Sequence, residues 1–150
     1  MSLKFNAVIL DSNFILLPVQ FHLDYLEDIV FKLEGKTKFI IYKQVCDELE
    51  AKKERFRKKR KSNKFHTQLE AGKRYLEMNK NKFHISFIDE VKNEKETTDQ
   101  FLLKKAKLLK KEISSVFLAT NDYELRKKAT QSEISIIYLR KKQFISITRA

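Results

Sequence analysis

Short apolar runs alternate with segments of helical period along this chain, and that alternation is its strongest constraint on fold. Residues 7–10 (AVIL), 38–42 (KFIIY), 116–119 (VFLA) and 134–139 (ISIIYL) are rich in β-branched and aromatic residues. Continuous apolar runs of this length suit strands buried on both faces of a sheet. Residues 84–88 (HISFI) read as a further short strand, and 144–147 as a last edge strand or tail. Between these runs the apolar spacing changes to that of helices. Leu23, Leu26, Ile29, Val30 and Leu33 predict one helix over 21–34, with Gly35 as its C-cap. Val45, Leu49 and Phe56 predict a second from about Gln44, its latter half dissolving into charge. Leu69, Gly72, Tyr75 and Leu76 mark a third over 65–78, and Leu102, Leu103, Ala106, Leu109 and Ile113 a fourth over 101–113. Residues 122–129 form the last. Strands and helices alternating along the chain in this way imply an α/β class fold, a mostly parallel central sheet covered on both faces.

A chain of 150 residues suits one domain, and two glycines and one proline leave no linker to divide it. No apolar run approaches the roughly 20 residues of a membrane span. The opening Met1-Ser2-Leu3-Lys4 carries no signal-peptide pattern. The expectation is therefore a cytoplasmic protein with no membrane partner. Cys46 is the sole cysteine, which excludes an internal disulfide. His22, His66 and His84 are too widely separated to give zinc-ligand spacing. A net charge of +12 makes polyanions natural partners.

In an open α/β sheet, sites form beyond the carboxyl ends of the strands. Asp11 directly follows AVIL, and Asp122 follows the run ending Ala119-Thr120-Asn121. Glu48 lies about one helical turn after KFIIY and borders the apolar stripe at Leu49. Asp99 opens the helix that precedes VFLA, above Leu102 and Leu103. Singly, each acid has a plain explanation as a turn, cap or solvated residue. Together, the four fall at one end of one sheet. Carboxylates so crowded repel, and a divalent cation compensates them. An all-oxygen ligand set selects Mg²⁺ or Mn²⁺ over zinc. Such a site suits phosphodiester hydrolysis. With only Gly35 and Gly72 available, neither a P-loop nor a dinucleotide fingerprint can be built.

These segments resemble the motifs of the PIN-domain nucleases. VILDSNFILLP resembles the family's first motif, with Asp11 and Asn13; VCDELE the second, with Glu48; TTDQFLL the third, with Asp99; and ATNDYELRKKA the fourth, with Thr120, Asn121 and Asp122. They stand in family order across nearly the whole chain. DSNFILLPVQF, ATNDYELR and IIYLRKKQFISI are most similar to the archaeal and eukaryotic branch that includes ribosomal-RNA-processing nucleases. The resemblance implies a single PIN-like domain over 1–150, a three-layer α/β/α sandwich, and metal-dependent endoribonuclease activity on structured RNA. All four acids would be catalytic and metal-binding, with homodimers frequent in the family. Asn13, Thr120 and Asn121 would support them by orienting an acid or a metal-bound water. Asn121 could equally cap the following helix. Related archaeal chains are of the VapC toxin type. A toxin nuclease and a catalytically idle RNA-binding assembly factor are the competing roles.

The main compositional break is a basic insert at about 52–64. It holds nine cations, Lys52, Lys53, Arg55, Arg57, Lys58, Lys59, Arg60, Lys61 and Lys64, against one acid, Glu54. It is longer and more basic than a minimal PIN toxin needs. Such a run is either a solvated stretch or an RNA-backbone clamp following Glu48, giving affinity without sequence readout. Lys104, Lys105, Lys107, Lys110 and Lys111 either extend that surface or form a solvated helix face.

Overall fold

The computed structural model describes residues 5–59 and 62–150. Its six strands form one sheet: β1 (Phe5–Leu10), β2 (Lys36–Tyr42), β3 (Ile85–Ile88), β4 (Ser115–Ala119), β5 (Ser135–Arg140) and β6 (Phe144–Thr148). The order across the sheet is β3-β2-β1-β4-β5-β6. Strands β1 to β5 pair in parallel, and β6 returns antiparallel along β5. The short apolar runs thus became central strands, as their lack of a polar face requires. Residues 7–10 are fully buried, as are Phe39, Ile40 and Phe117.

The helices among the described residues are α1 (Ser12–Ile15), α2 (Leu17–Phe21), α3 (Tyr25–Lys32), α4 (Lys43–Lys58), α5 (Ser62–Asn79), α6 (Thr98–Lys110) and α7 (Tyr123–Gln131). Helices α6 and α7 pack on each other and over β1, β4 and β5. Helices α4, α5 and α1 pack together on the opposite layer, against β2. The result is an α/β/α sandwich with a mostly parallel sheet. No described helix is long and apolar enough to cross a membrane.

The helix expected over 21–34 is shorter and starts later: α2 ends at Phe21, and α3 spans only Tyr25–Lys32. His22 takes a left-handed conformation (φ 54°) and ends α2. Asp24 then caps α3, accepting from the Glu27 amide, while the Tyr75 hydroxyl donates to Asp24 and accepts from the Leu26 amide. A polar clamp from α5 thus fixes where α3 begins, which apolar spacing alone could not show. Gly35 does not close α3, whose C-cap is Leu33; its φ of 91° serves the turn into β2. The helix from Gln44 also does not dissolve, and α4 runs to Lys58. Lys52 helps hold it there, its ammonium lying 5.5 and 5.1 Å from the ring centroids of Phe56 and Phe65, which pack edge-to-face.

Gly72 has a specific structural duty in α5. A Cβ at this position would overlap the Ile15 carbonyl oxygen, so the α5 backbone rides directly on α1. In a solvated helix, Gly→Ala stabilises by about 1 kcal/mol. Here Gly72→Ala should do the reverse, costing about 1–3 kcal/mol as in other overpacked sites. A lower urea midpoint with an unchanged slope would show it; a higher midpoint would mean the two helices are not in contact.

Candidate metal centre

In this sheet the chain winds outward in one direction from β1 to β3, then in the other from β4 to β6. The strand order therefore reverses between β1 and β4, and a crevice forms at such a switch point. Asp11 leaves β1 there and Thr120 leaves β4. The Asp11 amide donates to the Ala119 carbonyl (2.9 Å), and the Thr120 amide to that of Ile137 (2.9 Å). These bonds carry the sheet pairing one residue past the strands and hold both side chains side by side.

Asp11 is 6% exposed, and its carboxylate is fully engaged. Oδ1 accepts from the Ser12 amide at 2.8 Å. Oδ2 accepts from the Thr120 hydroxyl at 2.7 Å and from Asn13 Nδ2 at 3.3 Å. Asn13 Oδ1 in turn accepts from the Asn121 amide, and Asn121 Oδ1 from the Leu139 amide. Thr120 Oγ1 also accepts from the Asp122 amide at 3.1 Å. Asn13, Thr120 and Asn121 thus form one network joining β1, β4 and β5 around Asp11. Asn121 does not cap the next helix: Asp122 does, through Oδ1 and the Leu125 amide.

The other two acids come from different layers. Glu48 stands on α4, one turn in, and accepts from the Thr98 hydroxyl. Thr98 begins α6, and the capping box of Thr97 with Gln100 fixes that start. Gln44 completes the bridge, donating to Thr98 Oγ1 and accepting from the Lys92 amide. Asp99 follows Thr98 directly. The neighbouring acids on α4 are committed elsewhere: Asp47 pairs with Lys43, and Glu50 with Lys73, which holds the Glu50 carboxyl below the ordinary range. Glu48 is the acid of this helix that faces the crevice.

The electrostatics link the set. Burial pushes the Asp11 carboxyl above its ordinary range; the Thr120 and Ser12 hydrogen bonds oppose this, and the charges of Glu48 and Asp99 add to it. Asp99 is also raised, first by burial, then by Asp122 and Glu48, with Lys128 opposing. Each raised acid therefore feels at least two of the others. Among the described residues, however, no three Asp, Glu, His or Cys side chains stand close enough to hold an ion together. Repulsion between unneutralised carboxylates favours such spacing. The donor set itself, four carboxylates with no imidazole or thiolate, fits a hard divalent cation. His22, His66 and His84 are all exposed and away from the acids. Burial raises the half-buried Cys46 thiol, which favours its neutral form.

A cleft of about 400 Å³ leads to this centre, lined by Ser12, Asn13, Gln20, Glu48, Lys52 and Arg55 among others. Glu48, Lys52 and Arg55 recur at helical spacing on α4, and Lys59, its C-cap, continues that spacing just past the helix end. The rest of the basic run divides. Lys53 pairs with Glu50 and Glu70, and Arg57 with Glu54. Lys58 and Lys64 are exposed, and Arg60 and Lys61 lie outside the described residues. On α6, Lys104 and Lys105 are tied to Glu96 and Glu90, and Lys110 to the Glu133 carbonyl.

Sequence reasoning missed Gln44, Thr98 and Tyr123. The Thr97-x-x-Gln100 pattern is a legible helix start and could have drawn attention to Thr98. Tyr123 directly follows Asp122 and is 66% exposed. Its ring centroid is 5.9 Å from the Arg126 guanidinium, which lies 4.5 Å from that of Tyr138.

Comparison with known proteins agrees with this architecture. Residues 8–142 match the family model described as a PIN like domain. Among solved structures, the PIN domain endonuclease Utp24 superposes with a TM-score of 0.66 at 21% identity, covering 96% of this chain and 92% of that one. A domain of a functionally unknown protein from Methanocaldococcus jannaschii DSM 2661 gives 0.60 at 15% identity, covering 89% and 91%. No curated protein matches the chain. With the family model spanning nearly all of the sequence and the sheet order and switch point in place, this chain belongs to the PIN-like domain family.

Proposed function

We propose that this protein is a divalent-metal-dependent endoribonuclease acting on structured RNA, with a role in ribosomal RNA processing. The observation that carries the reading is the placement of Asp11, Glu48, Asp99 and Asp122, from four different elements, around one switch-point crevice, where burial first and the neighbouring acids next raise Asp11 and Asp99. Membership of the PIN-like family supports a nuclease in general, and the likeness to Utp24, named as a PIN domain endonuclease, favours internal cleavage; RNA as the substrate rests on the motif resemblance to the ribosomal-RNA-processing branch and on the +12 charge.

Mg²⁺ or Mn²⁺ bound there would lower the pKa of a water and offset charge on the scissile phosphate. The four acids would hold it, and the protein's remaining work is positioning. The Thr120 hydroxyl, the Asn13 amide and the Ser12 N–H fix both oxygens of Asp11. Thr98 fixes one oxygen of Glu48. Lys52 and Arg55 in the cleft wall, with Lys59 just past the end of α4, offer cations to an RNA backbone, and Tyr123 offers an exposed ring for a base next to Asp122. The remaining cations of the run, Arg60 and Lys61 included, add charge without a defined place in this path. A catalytically idle RNA-binding factor is the rival reading, and the loose spacing of the acids is what favours it.

With RNA and Mn²⁺, Asp11→Asn, Asp99→Asn and Asp122→Asn should each lower cleavage by about 100-fold or more while keeping the fold. End-mapped cleavage of mixed structured RNAs, against an EDTA control, measures this. Full activity in any two of them would end the assignment.

The acids also set a stability signature that needs no substrate. A raised native pKa means that the folded state holds its proton more tightly than the unfolded one. Stability therefore falls as pH rises through the carboxylate range, and the cost is complete once both states are ionised. At pH 7 in EDTA, Asp11→Asn should melt a few degrees higher than the parent, as about 1 kcal/mol would give in a domain of this size. Added Mn²⁺ should reverse the order, since ligand binding favours the intact set. Parallel responses of the two proteins to metal would count against a shared ion.

For the cleft path, Lys52→Gln with Arg55→Gln and Lys59→Gln should weaken RNA binding alike across sequences. The slope of log affinity against log salt should flatten by about 2–3, from roughly 0.7–0.9 per phosphate contact. An unchanged slope would remove α4 from the RNA path.

A further inference from the structure

At the end of the sheet remote from the acids, a groove of about 790 Å³ opens between the start of β2 and the turn from α5 into β3. Its wall holds Lys36, Lys38, Lys80 and Lys82 together with Phe5 and Phe83, and no acidic residue lines it. Lys36 and Lys38 flank the buried Thr37, so strand alternation sets both on the same side. The Lys80 ammonium lies 5.5 Å from the Phe87 ring centroid, and that of Lys82 lies 5.1 Å from Phe83. None of these four lysines has a carboxylate partner among the described residues, whereas Lys32, Lys43, Lys73, Lys104 and Lys105 each have one. Part of the +12 charge is therefore left unneutralised in a concave, ring-lined place, where field lines concentrate.

We propose that this groove is a second RNA-binding surface, taking the sugar–phosphate backbone at a point away from the acids. The inference rests on the reading that RNA is the substrate. Phosphates would meet the four ammonium groups, and a base the partly exposed ring of Phe5 (38%) in the groove wall. An acidic peptide would supply the charge, but a polynucleotide supplies with every unit both an anion and a flat face for that ring, and so fits better. The β2 strand, seven residues at about 3.3 Å each, separates the two ends of the sheet by roughly 20 Å. A structured RNA can therefore reach both places while one of its phosphodiesters lies at the acids.

The test uses the whole protein and a fluorescently labelled RNA hairpin with a single-stranded tail. In EDTA, where cleavage is silent, lysine acylation read by mass spectrometry should show Lys36, Lys38, Lys80 and Lys82 shielded by the RNA. The combined change Lys36→Gln, Lys38→Gln, Lys80→Gln and Lys82→Gln should weaken binding at least tenfold at low salt. It should flatten the salt slope by about 3, from roughly 0.7–0.9 per phosphate, while the corresponding Lys→Arg set retains affinity. In Mn²⁺ the Gln set should raise KM and leave kcat unchanged. Equal labelling with and without RNA, or an unchanged affinity and slope in a folded Gln set, would overturn the proposal. So would shielding by polyglutamate but not by RNA, which would assign the groove to an acidic protein segment. Shielding in a protein that cleaves no RNA would keep the groove and remove the nuclease reading. Cleavage with an unchanged KM in the Gln set would do the opposite.

Discussion

A carboxylate that is 6% exposed must find hydrogen-bond donors where it stands, because burial disfavours its charge. Asp11 is satisfied by neutral donors alone: one backbone amide, one hydroxyl and one carboxamide. Two of those three belong to its own turn, and the third belongs to β4. The Asp11–Thr120 hydrogen bond therefore ties the ends of β1 and β4 together, a tie that an uncharged acceptor can also make, and the Asn13 and Asn121 links extend it to β5. The side chains that steady the acid are the same ones that close the crevice around it.

The two remaining acids show how the layers cooperate. Glu48 and Asp99 come from helices on opposite faces of the sheet, and Thr98 joins them over the strand ends. The connection from β3 to β4 must cross the whole inner sheet to reach the far side of β1, which is why α6 begins above the crevice. Its Thr97–Gln100 box fixes the first turn, and so places Thr98 and Asp99 together. Lys128 on α7 moderates the charge that results.

The central strands were legible because burial on both faces leaves a continuous apolar signature in the sequence. The acids were legible for a related reason: each follows such a run, or opens a helix feeding one. Local polar contacts were not legible. The break at His22 depends on a left-handed residue and on a tyrosine 51 positions away from the cap that it clamps. Apolar spacing over 21–34 carries no trace of either. Likewise, nine cations in a row look alike in sequence. Only the helical phase of α4 turns Lys52 and Arg55 toward the cleft, while Lys53 and Arg57 close on acids of their own surface. Gln44 and Thr98 were missed because uncharged side chains that brace an acid have no distinctive spacing.

The bare backbone contact between Gly72 and Ile15 has a mechanical meaning. Where two helices meet through main chain, no rotamer is left at the contact to absorb a shift of one against the other. Helix α5 packs along α4, and α1 contacts both, so the cation-bearing stripe is braced against the turn carrying Asp11. A fixed distance between them would act as a built-in ruler. For a strand gripped along α4, the position of the phosphate that lies over the acids would be measured by the protein's own dimensions rather than read from the bases.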